Sequence, residues 1–339
     1  MSPSSPNILI VGPSWVGDMV MAQSLFMALR QNQPNCTIDV LAPGWSLPLL
    51  ARMPEVRQGI AMPLGHGRLA LTERHALGRN LRQAAYARAI VLPNSWKSAI
   101  VPWAANIPQR SGYIGEWRWG LLNDARRLDK THLTMTVQRF VALASEQSAS
   151  ETANLGYPLP RLVIRTEQQQ AVIAKFALDV GTPVLALCPG AEYGPAKRWP
   201  AHHFAEVARH IHQRGWQVWL FGSDKDQAVA DEINDLSNGL CRNFAGATQL
   251  AEAVDLLSLC RAVVSNDSGL MHVAAALDKK VIAVYGSSDP GFTPPLHPDA
   301  EVINLKLACS PCFKRQCPLG TTACLSGIEP GRVIDAINR

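Results

Sequence analysis

Apolar residues along this chain fall into short runs broken by small polar turns. The first run, Asn7-Ile8-Leu9-Ile10-Val11, is continuous rather than alternating, as in a strand buried on both faces. A glycine turn follows, and then Met19, Val20, Ala22, Leu25, Phe26 and Leu29 recur at the spacing of a helix's inner face. Thr37–Leu41 and Arg88–Leu92 predict further strands, the second leading into Pro93-Asn94-Ser95, with helical spacing over Glu73–Ala87 between them. The same rhythm returns later in Pro183–Cys188, Gln217–Phe221, Ala262–Ser265 and Val281–Tyr285, each ending in a turn of Gly, Ser, Asp or Asn. Phe204–Ile211 and Leu250–Leu259 predict helices between these strands, and Pro330 opens a last one over Gly331–Ile337.

Strands and helices alternating at this spacing build parallel sheets with helices on both faces. At 339 residues the chain exceeds one ordinary core. The polar stretch Ser145–Arg165, proline-marked at Tyr157-Pro158-Leu159-Pro160, is the expected boundary. The expectation is an α/β protein of two Rossmann-like doubly wound domains, residues 1–155 and 156–339, facing each other across a cleft. The last helix is a candidate to pack back on the first domain. Ligands bind such sheets at the C-terminal ends of the strands, so the turns are where chemistry is sought.

Composition narrows the classes. Hydrophobic residues make up 47% and charged residues 17%, which excludes a disordered chain. No apolar run reaches about 18 residues, so no spanning helix is expected. The opening Met-Ser-Pro-Ser-Ser-Pro lacks the pattern of a secretory leader, and the expectation is a cytoplasmic protein. Net charge is +5 but uneven: residues 1–155 hold 15 Lys and Arg against 9 Asp and Glu, and the remainder holds 17 against 18. The basic first half suits an anionic partner, whether a phosphorylated acceptor or a membrane surface, or is simply a solvated basic face. No nucleic-acid-binding signature accompanies it.

Four turns carry candidate chemistry. In Pro189–Pro200, Gly190 and Gly194 allow close backbone approach, and Lys197 and Arg198 add charge; the turn reads as a pyrophosphate loop or as a basic surface loop. In Ser265–Ala276, Asp267 or Ser268 can cap a helix, and Ser268, Gly269 and the free N–H groups there can bind phosphate, with His272 one turn in. In Phe221–Gln227, Asp226, with Asp224 as runner-up, is a candidate for ribose hydroxyls or an ordinary acid at a helix start. The fourth, Gly12–Asp18, delivers a carboxylate to the mouth of the first helix, where phosphate would be repelled. If a nucleotide diphosphate sits in the second domain, Asp18 suits proton abstraction from an incoming hydroxyl; otherwise it is a helix cap.

Eight cysteines do not make a secreted scaffold: Cys188 and Cys260 sit in or beside apolar runs, as core residues do. Cys309, Cys312, Cys317 and Cys324 cluster, and read either as a structural metal site or as thiols, reduced or partly oxidised; the second pair lacks zinc-ribbon spacing.

"GPSWVGDMVMAQSL", "PGAEYGPAKRWP" and "NDSGLMHVAAAL", in this order and spacing, resemble the heptosyltransferases of glycosyltransferase family 9. The likeness extends through "APGWSLPLLARMPEV", "VLPNSWKSA" and "GLLNDARRLDK" over nearly the whole chain. It implies the glycosyltransferase-B architecture and inverting transfer of L-glycero-D-manno-heptose from ADP-heptose to the first heptose of the lipopolysaccharide inner core on lipid A. It implies Asp18 as general base, Lys197 on the phosphates, and Gly190, Tyr193, Asp226, Thr248, Asp267, Ser268, Gly269 and His272 around the donor. Asn94, Ser95 and Lys97 are acceptor candidates, with His66, Arg118 and Arg126 behind them. No metal cofactor is implied, and the site of work is the inner face of the cytoplasmic membrane, as a peripheral protein. Trp96, Trp103, Trp117 and Trp119 are candidates for lipid contact, with core packing expected for at least half of them.

Two other classes share parts of this pattern. A sugar-nucleotide epimerase needs no separate acceptor, and a nucleotide-binding module needs no Asp18. A dinucleotide dehydrogenase is disfavoured, because Gly12-x4-Gly17 is followed by Asp18 in place of the third glycine.

Overall fold

The structure is a computed structural model, described here for residues 6–64, 69–145 and 156–339. His66 and residues 146–155 of the expected linker lie outside the described residues. The chain divides into two units, Met1–Pro160 and Arg161–Arg339.

Each unit is built on a six-stranded parallel sheet. The first contains β1 (Asn7–Val11), β2 (Thr37–Pro43), β3 (Val56–Met62), β4 (Arg88–Val91), β5 (Gln109–Tyr113) and β6 (Asp124–Arg126), in the order β3-β2-β1-β4-β5-β6. Ile10 of β1 pairs with Val40 on one side and Ile90 on the other. The second contains β7 (Val184–Cys188), β8 (Gln217–Leu220), β9 (Cys241–Asn243), β10 (Ala262–Asn266), β11 (Lys280–Tyr285) and β12 (Glu301–Asn304), in the order β12-β11-β10-β7-β8-β9. Val264 of β10 pairs with Leu187 and Ile282. In both sheets the chain winds outward over three strands, then returns to start again on the other side of the first. Reversing direction puts the crossover helices on opposite faces and opens a crevice at the reversal, between β1 and β4 in one unit and between β7 and β10 in the other.

The central strands are the apolar runs, buried because helices cover both of their faces: Leu9, Ile10, Leu185, Leu187, Val263 and Val264 are closed to solvent. Helix Ala201–Gln213 buries His203, Phe204, Val207, Ala208 and Ile211 at helical spacing. Pro200 stands just before that helix, and Pro330 opens helix Pro330–Asn338. This last helix packs on helix Ala201–Gln213 and on β11 and β12 of its own unit. Helical structure begins at Leu71 and ends at Leu81, followed by a 3-10 turn to Ala84, because Ala85 turns left-handed at φ +47° and stops it short of Ala87. Five strands carry no continuous apolar run: β3, β6, β9 and β12 are sheet edges, and β5 reads Gln-Arg-Ser-Gly-Tyr. Among the described residues no helix is long and apolar enough to cross a membrane.

Candidate functional site

In the second unit the turns after β7 and β10 are locked together at the reversal. Asn266, the last residue of β10, is fully buried; its amide donates to the Pro189 carbonyl at 2.7 Å and accepts from the Trp199 backbone N–H at 3.0 Å. Both ends of the glycine turn are thereby pinned to the adjacent strand. A short 3-10 turn, Pro195–Lys197, aims Lys197 inward, where its ammonium lies 2.5 Å from Asp267 Oδ2. Ser268 occupies the N-cap of helix Gly269–Ala276 in extended geometry, and its side chain caps nothing. The first-turn N–H groups are therefore left for an outside acceptor, as in anion sites at helix starts. His272 is 4% exposed, with Nδ1 unpartnered. Burial pushes its imidazole down to about 4, with Lys197 pushing the same way and Asp267 opposing, so the ring is neutral at pH 7. Beyond β11, the hydroxyls of Ser287 and Ser288 are also buried without partners. Their signal in the sequence was the Gly-Ser-Ser-Asp turn after a strong strand, and nothing in that turn distinguished them from ordinary turn residues.

The turns after β8 and β9 continue the same rim. Asp226 is buried, and its Oδ2 accepts from the Ser223 N–H at 3.0 Å and the Ser223 hydroxyl at 2.8 Å. The Arg198 guanidinium stands 3.6 Å from Oδ1. Asp226 thus acts as the cap of its own turn, and it also packs against the turn after β7: a Cβ at Gly190 would fall 2.5 Å from its carboxyl carbon. Asp224 is exposed. The β9 turn is tied back by the Gly246 N–H on the Gly222 carbonyl at 3.2 Å, and Thr248 Oγ1 donates to the Phe244 carbonyl at 3.3 Å.

The cysteine-rich segment forms a wall of the β7 turn, which the sequence did not reveal. Tyr193 donates its hydroxyl to the Phe313 carbonyl at 2.9 Å, and its ring carries both Lys197 Nζ and the Arg315 guanidinium at 5.3 Å. Gly194 has φ +157°, and a Cβ there would meet the Arg315 carbonyl at 2.5 Å, so only glycine lets the two backbones touch. The four cysteines of this segment are free thiols. Backbone N–H groups, from Thr322 foremost, lower the Cys317 thiol, and burial raises that of Cys324. Among the described residues no three His, Cys, Asp or Glu side chains are placed to hold a metal ion. Cys188 and Cys260 are core residues, and burial raises both thiols.

In the first unit Asp18 is the third residue of helix Val16–Asn32 and is half-buried. The N-cap position belongs to Trp15, not to Asp18. The positive end of the helix favours the ionised carboxylate. The Leu92 N–H bonds to the Val11 carbonyl at 3.1 Å, so the turns after β1 and β4 leave the sheet side by side. Those turns bear Asp18 and the acceptor candidates Asn94, exposed, and Ser95 and Lys97, half-buried.

Arg118 and Arg126 are internal braces rather than acceptor-facing cations. Arg118 is 4% exposed and donates to the carbonyls of Pro93 and Tyr113 and to Asn94 Oδ1. Arg126 pairs with Asp124 at 2.8 Å and donates to the carbonyls of Ala142 and Ser145. The tryptophans also depart from expectation: Trp103, Trp117 and Trp119 are exposed, and Trp96 is only half-buried. Trp117 and Trp119 lie on the connection between β5 and β6, at the sheet edge, where no helix of the described chain covers them.

Residues 74–323 match the family model described as glycosyltransferase family 9 (heptosyltransferase). The chain is 49% identical to lipopolysaccharide heptosyltransferase 2 of Salmonella typhimurium, covering 98% of this chain and 97% of that protein. It is 50% identical to lipooligosaccharide heptosyltransferase 2 of Haemophilus influenzae, covering 88% of each. Among solved structures it is similar to E. coli ADP-heptose LPS heptosyltransferase II, with a TM-score of 0.87 and 46% identity over 98% of this chain and 97% of that one. The fold is accordingly of the glycosyltransferase-B type. With the family model matched over residues 74–323 and a relative 49% identical over 98% of the chain, the chain belongs to glycosyltransferase family 9, the heptosyltransferases.

Proposed function

We propose that the protein transfers L-glycero-D-manno-heptose from ADP-heptose to the first heptose of the lipopolysaccharide inner core on lipid A, inverting the anomeric carbon. The near full-length identity to lipopolysaccharide heptosyltransferase 2 carries this reading. The second unit binds the donor and the first binds the acceptor. Asp18 takes the proton from the acceptor hydroxyl as that oxygen bonds to the anomeric carbon and the bond to ADP breaks. Lys197 and the N–H groups at the start of helix Gly269–Ala276 receive the charge that develops on the leaving diphosphate. Asp267 keeps Lys197 aimed there, and His272 contributes polarity without charge. Gly190 and Tyr193 line the nucleotide, Thr248 borders the adenine, and the β8 turn meets the ribose, with Asp226 shaping the turn and Asp224 exposed to a hydroxyl. Asn94, Ser95 and Lys97 hold the acceptor.

Transfer on this reading needs no metal, because Lys197 and the helix start carry the leaving-group charge, and chelator leaves the rate unchanged. The basic first half and the exposed Trp103, Trp117 and Trp119 suit peripheral work at the inner face of the cytoplasmic membrane, with no nucleic acid involved.

The test uses purified protein, ADP-heptose and a mono-heptosylated acceptor. ADP release only when acceptor is present, with a product one heptose heavier, is the expected result. Consumption of ADP-heptose without acceptor points to an epimerase, and ADP binding without turnover to a nucleotide-binding module.

A further inference from the structure

The first unit contains a cavity of about 630 Å³ that the roles above leave unused. It is bordered by Asn94, Tyr113, Ile114, Trp119, Arg127 and Lys130. Its size is that of a small-molecule site.

Its chemistry is specific. Arg127 and Lys130 are both exposed and bring two positive charges to one wall, with no carboxylate among the lining residues. Of the neighbouring acids, Glu116 accepts from the Trp96 N–H at 3.2 Å. Asp124 is held by Arg126 and the Ser111 hydroxyl, and Asp129 by Thr131 and His132. Trp119, 71% exposed, offers a flat apolar face, and Ile114 adds to it.

The remaining wall is rigid. Tyr113 is buried with its hydroxyl on the Arg139 carbonyl at 2.7 Å, and Arg118 ties the Tyr113 and Pro93 carbonyls to Asn94. Asn94 belongs both to this cavity and to the turn after β4 at the sheet reversal. The cavity therefore adjoins the acceptor turn, and its charge is opposite to that of an anionic saccharide.

We propose that this cavity is a subsite for an anionic sugar unit of the acceptor, one not undergoing reaction. The sugar ring lies on Trp119, a hydroxyl meets Asn94, and a phosphate or carboxylate is held by Arg127 and Lys130. This deepens the reading of the first unit as acceptor-binding and rests on it. The guanidinium fork and the ammonium both suit oxyanions, and the aromatic face selects a ring over a free ion.

The test compares wild type with Arg127→Gln/Lys130→Gln, with Trp119→Ala and with Trp119→Phe. The probe is a deacylated lipopolysaccharide core oligosaccharide that carries phosphate and acidic sugars. Calorimetry reads binding, and steady-state kinetics read KM for acceptor and for ADP-heptose separately.

Loss of two charge-assisted contacts predicts a Kd and acceptor KM raised roughly 10- to 100-fold. The KM for ADP-heptose and kcat stay within about twofold, because these side chains touch neither donor nor reacting atoms. Trp119→Ala weakens binding in the same way, and Trp119→Phe restores most of it. Melting temperatures stay at the wild-type value, since all three side chains are exposed.

Phosphatase-treated and carboxyl-reduced oligosaccharides identify the anion: the treatment that abolishes the difference between wild type and double variant names the group held. A double variant that binds the oligosaccharide as wild type does overturns the proposal, as does an equal rise in both KM values. Wild-type protein that binds the oligosaccharide through Arg127 and Lys130 but transfers no heptose overturns the proposed function and leaves the subsite standing.

Discussion

Lys197 and Asp267 form an ion pair at 2.5 Å between the turns that follow β7 and β10, with side-chain exposures of 19% and 7%. The two residues are 70 positions apart and meet because β7 and β10 are neighbours in the sheet. Asp267 satisfies the lysine in the structure; on the proposed function the lysine serves a bound diphosphate as well. Lys197→Ala should therefore act twice. It leaves a nearly buried carboxylate without its cation, which costs stability on the order of 3 kcal/mol. On the proposed function it also removes the cation that faces the leaving group, so ADP affinity and turnover should both fall. Denaturant melts and ADP calorimetry on the same preparation check this; an Ala variant that melts and binds like wild type would remove Lys197 from the donor site.

Asp18 lies on the other unit and should separate binding from chemistry. Asp18→Asn keeps the size of the side chain and one accepting oxygen but takes no proton. Turnover should fall roughly 10²- to 10⁴-fold, the usual contribution of a positioned general base. The KM for ADP-heptose should stay within about threefold. Acceptor-dependent ADP release measures both. Undiminished turnover would leave Asp18 only its favourable place at the helix start.

Asn266 has no counterpart among the sequence candidates, yet one buried amide serves both ends of the turn after β7. Asn266→Ala strands the Pro189 carbonyl and the Trp199 N–H in the interior. Losing buried partners at this rate costs roughly 2–3 kcal/mol. ADP affinity should drop along with stability, because the glycine turn is no longer pinned. A variant that loses stability but binds ADP with wild-type affinity would show that the loop holds its shape without the amide.

His272 predicts a dependence on pH. Its folded-state value of about 4 lies below the ordinary 6.5. Between those two values the unfolded chain takes up a proton that the folded protein refuses, so stability falls as pH falls through this window. The whole window is worth about 3 kcal/mol, and none of it is lost above pH 7. His272→Asn should flatten the stability curve between pH 6.5 and 4 relative to wild type, as read by chemical denaturation at a series of pH values. An unchanged slope would mean that the imidazole is protonated inside the fold.

Legibility followed burial. β1, β2, β4, β7, β8, β10 and β11 could be read from the chain because a strand covered on both faces is apolar over most of its length. The edge strands β3, β6, β9 and β12 could not, since an edge needs only one buried face and few residues. β5 was hidden differently. It is internal, but Ser111 and Gly112 keep it small where a Cβ would come 3.0 Å from the Val91 carbonyl. The strand-end turns were legible for a related reason: Gly190, Gly194, Asp267 and Gly269 are residue types that a tight turn or a helix start requires. Those local constraints, together with the family resemblance, suffice for two doubly wound sheets and for a heptosyltransferase.

What the chain alone did not disclose depends on partners distant in sequence. Arg118 and Arg126 have the composition of surface cations, and only the fold shows each guanidinium enclosed by carbonyls. Arg127 and Lys130, one and four residues beyond Arg126, look the same in the sequence but stay exposed on a cavity wall. Asn266 reads as a strand-end residue until β7 lies beside it, and Arg315 as part of a cysteine motif until Gly194 touches its backbone. Apolar periodicity and turn chemistry are local, so the sequence by itself determined the elements, their class and the turns that carry charge. Which polar side chain is enclosed, paired or left facing solvent depends on groups up to 134 residues away, as between the Ser24 hydroxyl and the Pro158 carbonyl, and only the tertiary structure decided it.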